Sequence, residues 1–289
     1  MKVIVFGGSG FVGSHVADAL TVAGHEVTVY DKKKSPYLNK RQKMIVGDIL
    51  DKTAVEKAVA GKDIVYHFAG VAGIKEAFEN PEEAIRQNIL GTLYILEACR
   101  KSKIKRFIFA STVYVCSRSG SVYRTTKRAC EFLIEDYRQA YGLEYTVLRY
   151  GSLYGPRADM ENGVYRMLYL ALKEKQVKDF SGGPDDERKY IHVQDAARLS
   201  VKILEDEYKN HNLILTGKKS MKVKDLFKLV NQIVGRDISI SYNPPDPILH
   251  YSKKYDDKLQ LLAGKEIYAE DNLSFEDRLK EWVSHIRKI

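Results

Sequence analysis

The stretch Met1-Lys2-Val3-Ile4-Val5-Phe6-Gly7-Gly8-Ser9-Gly10-Phe11-Val12-Gly13 runs from a short apolar segment into three spaced glycines and on into a helical pattern. Val3–Phe6 reads as a buried strand, because parallel strands covered on both faces are nearly continuous apolar runs. Phe11–Ala23 carries apolar residues three and four apart, the period of an amphipathic helix. Between the two, Gly7 permits a tight turn, Gly10 lets backbone approach a pyrophosphate, and Gly13 allows close helix–strand packing. The helix start, with Phe11 and Val12, then presents free N–H groups and a positive dipole end to an anion. Asp31 closes the second strand, Glu26–Tyr30, 18 residues after Gly13, where a carboxylate accepts hydrogen bonds from ribose hydroxyls. Its charge disfavours a 2′-phosphate, so NAD is expected over NADP, although Lys32–Lys34 offer cations that could accept that phosphate.

Working outward, the same alternation continues. Lys43–Val46, Ile64–Phe68, Phe107–Ala110 and Tyr145–Tyr150 read as strands. Thr53–Val59, Pro81–Lys101 and Thr125–Tyr141 read as helices between them. Such alternation implies an α/β fold, a Rossmann-like doubly wound parallel sheet with helices on both faces. After Gly155 the pattern loosens. Gly182-Gly183-Pro184 reads as a turn, His192–Glu205 as a helix, Asn212–Leu215 as a strand and Val223–Val234 as a helix. Asn243-Pro244-Pro245-Asp246-Pro247 reads as a rigid loop and Ser274–Ile286 as a last amphipathic helix. The expected organisation is a dinucleotide-binding domain over residues 1–155 with a returning segment near 190–215. Residues 156–189 and 216–289 would form a smaller α/β substrate lobe.

The chain has 289 residues, enough to bury a core without disulfide or metal staples. Its 44% hydrophobic and 29% charged residues are ordinary for a globular protein and exclude a disordered or fibrous chain. Cys99, Cys116 and Cys130 form no C-x-x-C pair and cannot all be bridged. The seven histidines show no H-x-x-x-H spacing, so no metal is expected. Lysine and arginine exceed aspartate and glutamate by 9, but the cations are spread out. Lys32–Lys34 and Arg100 to Arg106 are short clusters without interleaved aromatics, which argues against nucleic acid. No apolar run reaches membrane-spanning length. The opening decapeptide has neither the length nor the cleavage site of a signal peptide, so a soluble cytoplasmic protein is expected.

Tyr123 and Lys127 form a Tyr-x-x-x-Lys pair, which places both side chains on one helix face. An ammonium a few ångströms from a phenol lowers its pKa, so Tyr123 is expected to act as a general base and Lys127 to hold a ribose. Tyr30/Lys34 and Tyr169/Lys173 share the spacing, but only Tyr123/Lys127 follows directly on the fifth strand. That strand ends in Ser111-Thr112, at the carboxyl edge where open α/β sheets bind ligands. His67 and His192 read as packing or hydrogen-bonding residues, and Cys116 as an inert pocket side chain.

With these residues in place, the sequence resembles the extended short-chain dehydrogenase/reductase family, in its NAD-dependent epimerase/dehydratase branch acting on nucleotide sugars. Gly7, Gly10 and Gly13 fit its glycine motif and Asp31 its ribose acid. Gly47-Asp48-Ile49 resembles the adenine-contacting turn and His67-Phe68-Ala69-Gly70 the end of the fourth strand. Asn88 matches the asparagine that props the active site, and Thr112, Tyr123 and Lys127 match the catalytic triad. Arg149-Tyr150-Gly151-Ser152-Leu153-Tyr154-Gly155-Pro156-Arg157 resembles "RxxNxYGPR". Arg188-Lys189-Tyr190-Ile191-His192 resembles "RDFIH", whose arginine contacts the substrate diphosphate.

The resemblance implies a nucleotide-diphosphate sugar as substrate, NAD as cofactor, and transient oxidation to a keto-sugar with Tyr123 as base and Thr112 on the same oxygen. It implies substrate contacts from Thr112, Ser152 and Arg188, and a homodimer through the helices Pro81–Lys101 and Thr125–Tyr141. The dehydratases and decarboxylases of the family usually have an acidic residue just after the catalytic threonine; here Val113 and Tyr114 follow. Keto-sugar reductases using NADP fit poorly with Asp31. An epimerase, at C4 as in most relatives, is therefore expected, with a dehydratase or reductase as the alternative and a non-enzymatic dinucleotide sensor as the more distant one. The chain departs from the family in the short spacing of eleven between Thr112 and Tyr123, which removes part of the usual roof over the sugar. In an alternative register, with Val113-Tyr114 as the family's "VY" pair, Ala110 would take the hydroxyl position. Ser152 stands where the family has asparagine.

Overall fold

A computed structural model describes residues 1–174, 176–181, 183–243, 264–268 and 273–287. Gly182 of the expected turn and residues 244–247 of the expected proline loop lie outside these.

Strands β1 (Lys2–Phe6), β2 (Glu26–Asp31), β3 (Lys43–Val46), β4 (Ile64–His67), β5 (Arg106–Thr112) and β6 (Tyr145–Tyr150) lie in the order 3-2-1-4-5-6. This is the doubly wound order, with its switch point between β1 and β4. Beyond β6 the sheet continues with β10 (His211–Leu215) and β13 (Lys265–Ile267), making eight strands, each parallel to its neighbours. Burial on both faces accounts for the composition: all seven residues of β5 and all six of β6 are buried.

One face packs Val16, Ala17 and Leu20 of α1 (Phe11–Val22) and Ala196, Ala197 and Leu199 of α8 (Val193–Lys202) against the sheet. The other face is covered by α2 (Lys52–Val59), α5 (Gly91–Lys101) and α6 (Ser121–Tyr141), through Val55, Ile95, Leu96, Cys130 and Ile134. The segment expected as one helix over Pro81–Lys101 consists of α4 (Pro81–Ile85), a single π turn (Arg86–Leu90) and α5. Before it stands α3 (Ile74–Glu79). Helix α6 begins four residues earlier than the periodicity indicates, so Tyr123 lies in its first turn.

The remaining elements build a second core. β7 (Ser152–Tyr154), β9 (Glu187–His192) and β11 (Ser220–Lys222) form a three-stranded sheet, and β8 (Gln176–Ser181) pairs with β12 (Ser239–Asn243). Helices α7 (Gly163–Lys173), α9 (Val223–Val234) and α10 (Phe275–Ile286) enclose Met167, Leu168, Leu226, Val230, Leu279 and Trp282. The tail crosses back, since β13 belongs to the large sheet although the sequence assigns residues 216–289 to the smaller lobe. Among the described residues no helix is long and apolar enough to cross a membrane.

Candidate active site

A cavity of about 430 Å³ opens at the carboxyl ends of β1, β2, β4, β5 and β6. At one end it meets the start of α1. Gly7 has φ +76°, and a Cβ there would stand 2.4 Å from the Ala69 backbone nitrogen; a Cβ on Gly13 would stand 2.3 Å from the Gly7 carbonyl oxygen. Both positions therefore demand glycine. A Cβ on Gly10 would come no closer than 3.4 Å to a neighbour, the Gly7 carbonyl oxygen, and Gly10, Phe11, Val12 and Gly13 bring the first turn of α1 to the cavity.

Asp31 lines the same cavity, its carboxylate accepting from the backbone N–H groups of Ser9 at 3.0 Å and Lys33 at 3.1 Å. Both bonds fix the side chain. Lys32, Asp48, Ile49, Phe68, Ala69 and Gly70 also line the cavity. The Asp48 carboxylate accepts from the Leu50 N–H at 2.9 Å, closing the turn after β3. An open helix N-terminus for phosphates and an anchored carboxylate for ribose in one cleft fit a dinucleotide.

Tyr123, Lys127 and Thr112 line the cavity from α6 and the end of β5. Burial pushes the Tyr123 phenol up to about 12, against the hydrogen bond from Thr112, which favours the phenolate. The expectation that Lys127 lowers this phenol is not met here. The Lys127 ammonium donates to the Ala110 carbonyl at 2.9 Å and lies 4.8 Å from the centre of the Phe109 ring. Its own pKa is lowered by burial. Thr112 lines the cavity together with Tyr123, while Ala110 offers its carbonyl to Lys127.

Other residues hold this pair in place. Asn88 sits in the π turn and does not line the cavity. Its side chain accepts from the Val71 N–H at 2.8 Å, donates to the Val71 carbonyl at 3.0 Å and donates to Thr126 Oγ1 at 2.9 Å. It thereby ties the loop after β4 to α6 beside Lys127. Ser111 lines the cavity, but its hydroxyl donates to Glu131 Oε1 at 2.5 Å. Glu131 in turn takes two bonds from the fully buried Arg149, at 3.1 and 2.7 Å. Tyr150 presents its ring to the cavity while its hydroxyl pairs with Ser200 Oγ at 2.7 Å. His67 is buried, pairs with Thr92 Oγ1 at 2.9 Å and is pushed down to about 3 by burial and by Lys127.

Two expected substrate contacts lie outside the cavity. Ser152 pairs in register with Tyr190 in the smaller sheet, and the Arg188 guanidinium lies 5.8 Å from the Phe180 ring centre. In contrast, Glu76 of α3 and Gln87 of the π turn do line it. Sequence reasoning missed both, because no spacing ties them to the strand ends. The short Thr112–Tyr123 connection folds as one 3-10 turn (Val113–Cys116) followed by a tight loop. Arg128 donates to the Val115 carbonyl at 2.7 Å, and Arg124 donates to the carbonyls of Ser117, at 3.3 Å, and Arg118. Two α6 arginines thus pin the loop.

The model of the NAD dependent epimerase/dehydratase family matches residues 3–215. The UDP-N-acetyl-alpha-D-glucosaminuronate decarboxylase of Bacillus cytotoxicus is 30% identical, over 100% of this chain and 98% of its own. The crystal structure of the Thermotoga maritima UDP-glucose 4-epimerase with UDP-glucose superposes with a TM-score of 0.85 at 29% identity, covering 100% and 99% of the two chains. That of the Thermus thermophilus UDP-glucose 4-epimerase in complex with NAD gives 0.83 at 28%, covering 99% of each.

Proposed function

This chain belongs to the NAD dependent epimerase/dehydratase family, and on that premise we propose that it is an NAD-dependent nucleotide-sugar 4-epimerase with Tyr123 as its acid–base group. The observation that carries the proposal is that Tyr123, Lys127 and Thr112 line the same cavity as the α1 N-terminus and Asp31. Gly7, Gly10, Gly13 and the first turn of α1 would hold the pyrophosphate, Asp31 the adenosine ribose and Lys127 the nicotinamide ribose. NAD, when bound, supplies the two-electron acceptor and donor of the reaction. Tyr123 takes the proton of the sugar hydroxyl as its carbon is oxidised, and gives it back once the keto-sugar has turned its other face. Thr112 orients that oxygen and donates to the phenolate. A phenol held near 12 stays protonated at neutral pH; its service as a base requires the Lys127 charge to be brought to bear on it.

Epimerisation is favoured over elimination or decarboxylation because Val113 and Tyr114, where those branches carry an acid, are not acidic. The proposal includes a homodimer through the face of α4 and α6, on which Ile85 and Phe132 are 49% and 51% exposed. The test is incubation with uridine, guanosine, cytidine and thymidine diphosphate sugars without added cofactor, read by NMR. A stereoisomer of the substrate is expected. Loss of water or carbon dioxide, or no reaction with any sugar, overturns the proposal.

A further inference from the structure

We propose that Glu76 selects the charge of the sugar, favouring a neutral nucleotide hexose and disfavouring a nucleotide hexuronate; this rests on the reading of the cavity as a nucleotide-sugar site. Glu76 is exposed and lines the cavity, and its carboxylate has no hydrogen-bond or ion-pair partner among the described residues. Its place is the reacting end. The next residue, Ala77, is buried in one small apolar cluster with Val71 and Ala84, against which Val122 and Tyr123 pack.

The cavity's other carboxylates are Asp31 and Asp48, each tied to backbone N–H groups and carried by the turns after β2 and β3. Its cations are Lys32, next to Asp31, and Lys127, whose ammonium is buried on the Ala110 carbonyl. Among the described residues no cavity-lining guanidinium stands ready for a sugar carboxylate. A hexuronate would therefore bring a second negative charge beside the exposed carboxylate of Glu76, where like charges a few ångströms apart repel. A neutral hexose brings only hydroxyls, which can donate to that carboxylate. The rival role is structural: Glu76 sits in the first turn of α3, where a negative charge favours the helix start. A purely structural carboxylate would not distinguish sugars by charge.

The test compares UDP-galactose with UDP-galacturonate on the NAD-loaded wild type and on Glu76→Gln. The wild type is expected to prefer the neutral sugar in kcat/KM. The variant's uronate-to-neutral ratio should rise by about three- to tenfold, the scale of removing one like charge a few ångströms away at an exposed position. A wild type that prefers the uronate, or a ratio unmoved by the substitution, overturns the proposal. Calorimetric titration of both proteins with the same two nucleotides reads the charge preference without turnover. Binding selectivity that follows Glu76 in a protein that epimerises nothing would refute the proposed function and leave this inference standing.

Discussion

Replacing Glu131 by alanine is the most severe single change the site's support should feel. Arg149 is completely buried and Glu131 only 2% exposed at its side chain. The carboxylate accepts from Arg149 Nε at 3.1 Å and Nη2 at 2.7 Å, and from the Ser111 hydroxyl at 2.5 Å. Truncation removes the ion-pair partner of the guanidinium, whose remaining surroundings include the Cys116 sulfur at 3.6 Å and the more distant charge of Glu135. An uncompensated buried charge costs about 3–5 kcal/mol, and a stranded buried hydroxyl about 1–3 kcal/mol. The two share one carboxylate, so about 4–6 kcal/mol is expected together. At about 2–4 °C per kcal/mol for a chain of this size class, Tm should fall by about 8–24 °C. The assay is urea and thermal unfolding by circular dichroism at pH 7. Glu131→Gln, which keeps acceptor and volume, should lose less. Glu131→Met with Arg149→Met should recover to within about 2 kcal/mol of wild type, because a packed apolar pair replaces a desolvated ionic one. A loss below about 1 kcal/mol for Glu131→Ala would refute the claim that this pair locks α6 to the sheet.

Tyr123→Phe should lower turnover by about 10²–10⁴-fold, the range of a lost acid–base group, while NAD remains bound; turnover within a few-fold of wild type would remove Tyr123 from its role. Asp31→Ala should weaken NAD binding more than NADP binding in fluorescence titrations, and equal losses would contradict the ribose assignment. His67, held down to about 3, is neutral in the folded chain, whereas the unfolded chain takes up a proton below about 6.5. Its contribution is therefore whole above about pH 6.5 and is lost as pH falls towards 3, by up to about 1.4 kcal/mol per pH unit. Unfolding free energies between pH 7 and 4.5 should fall more steeply for wild type than for His67→Gln, and parallel curves would sink the assignment.

Much of the large sheet is legible because a strand buried on both faces must be apolar along its whole length. The glycines at 7 and 13 are likewise dictated by contact, since a Cβ at either would enter backbone. The smaller lobe is harder to see for physical reasons. Helix α7 has a core stripe of Val164, Met167, Leu168 and Ala171, but Tyr165, Tyr169, Leu170 and Leu172 make its other faces nearly as apolar. Strand β13 is three residues long, too short for any period, and exists because β10 offers it an edge. At the site, spacing predicts that Tyr123 and Lys127 share a helix face. It carries no information on burial, which raises the phenol, or on the Ala110 carbonyl, which takes the ammonium.

The shortened Thr112–Tyr123 connection explains why so many contacts converge on α6. A longer connection would contribute its own packing to the orientation of this helix; here there are only one 3-10 turn and a tight loop, with Gly120 at φ +99° and Ser121 at φ +47° making the sharp entry. The rotation of α6 about its axis is fixed instead from four sides. Arg124 and Arg128 grip the loop, Lys127 reaches the Ala110 carbonyl of β5, Thr126 is held by Asn88, and Glu131 clasps Arg149 of β6. Each contact lies within eight residues of Tyr123, about two helical turns, so a small rotation of the helix would strain all of them at once. The π turn belongs to the same device. Its successive residues Gln87 and Asn88 serve the cavity wall and the α6 brace respectively.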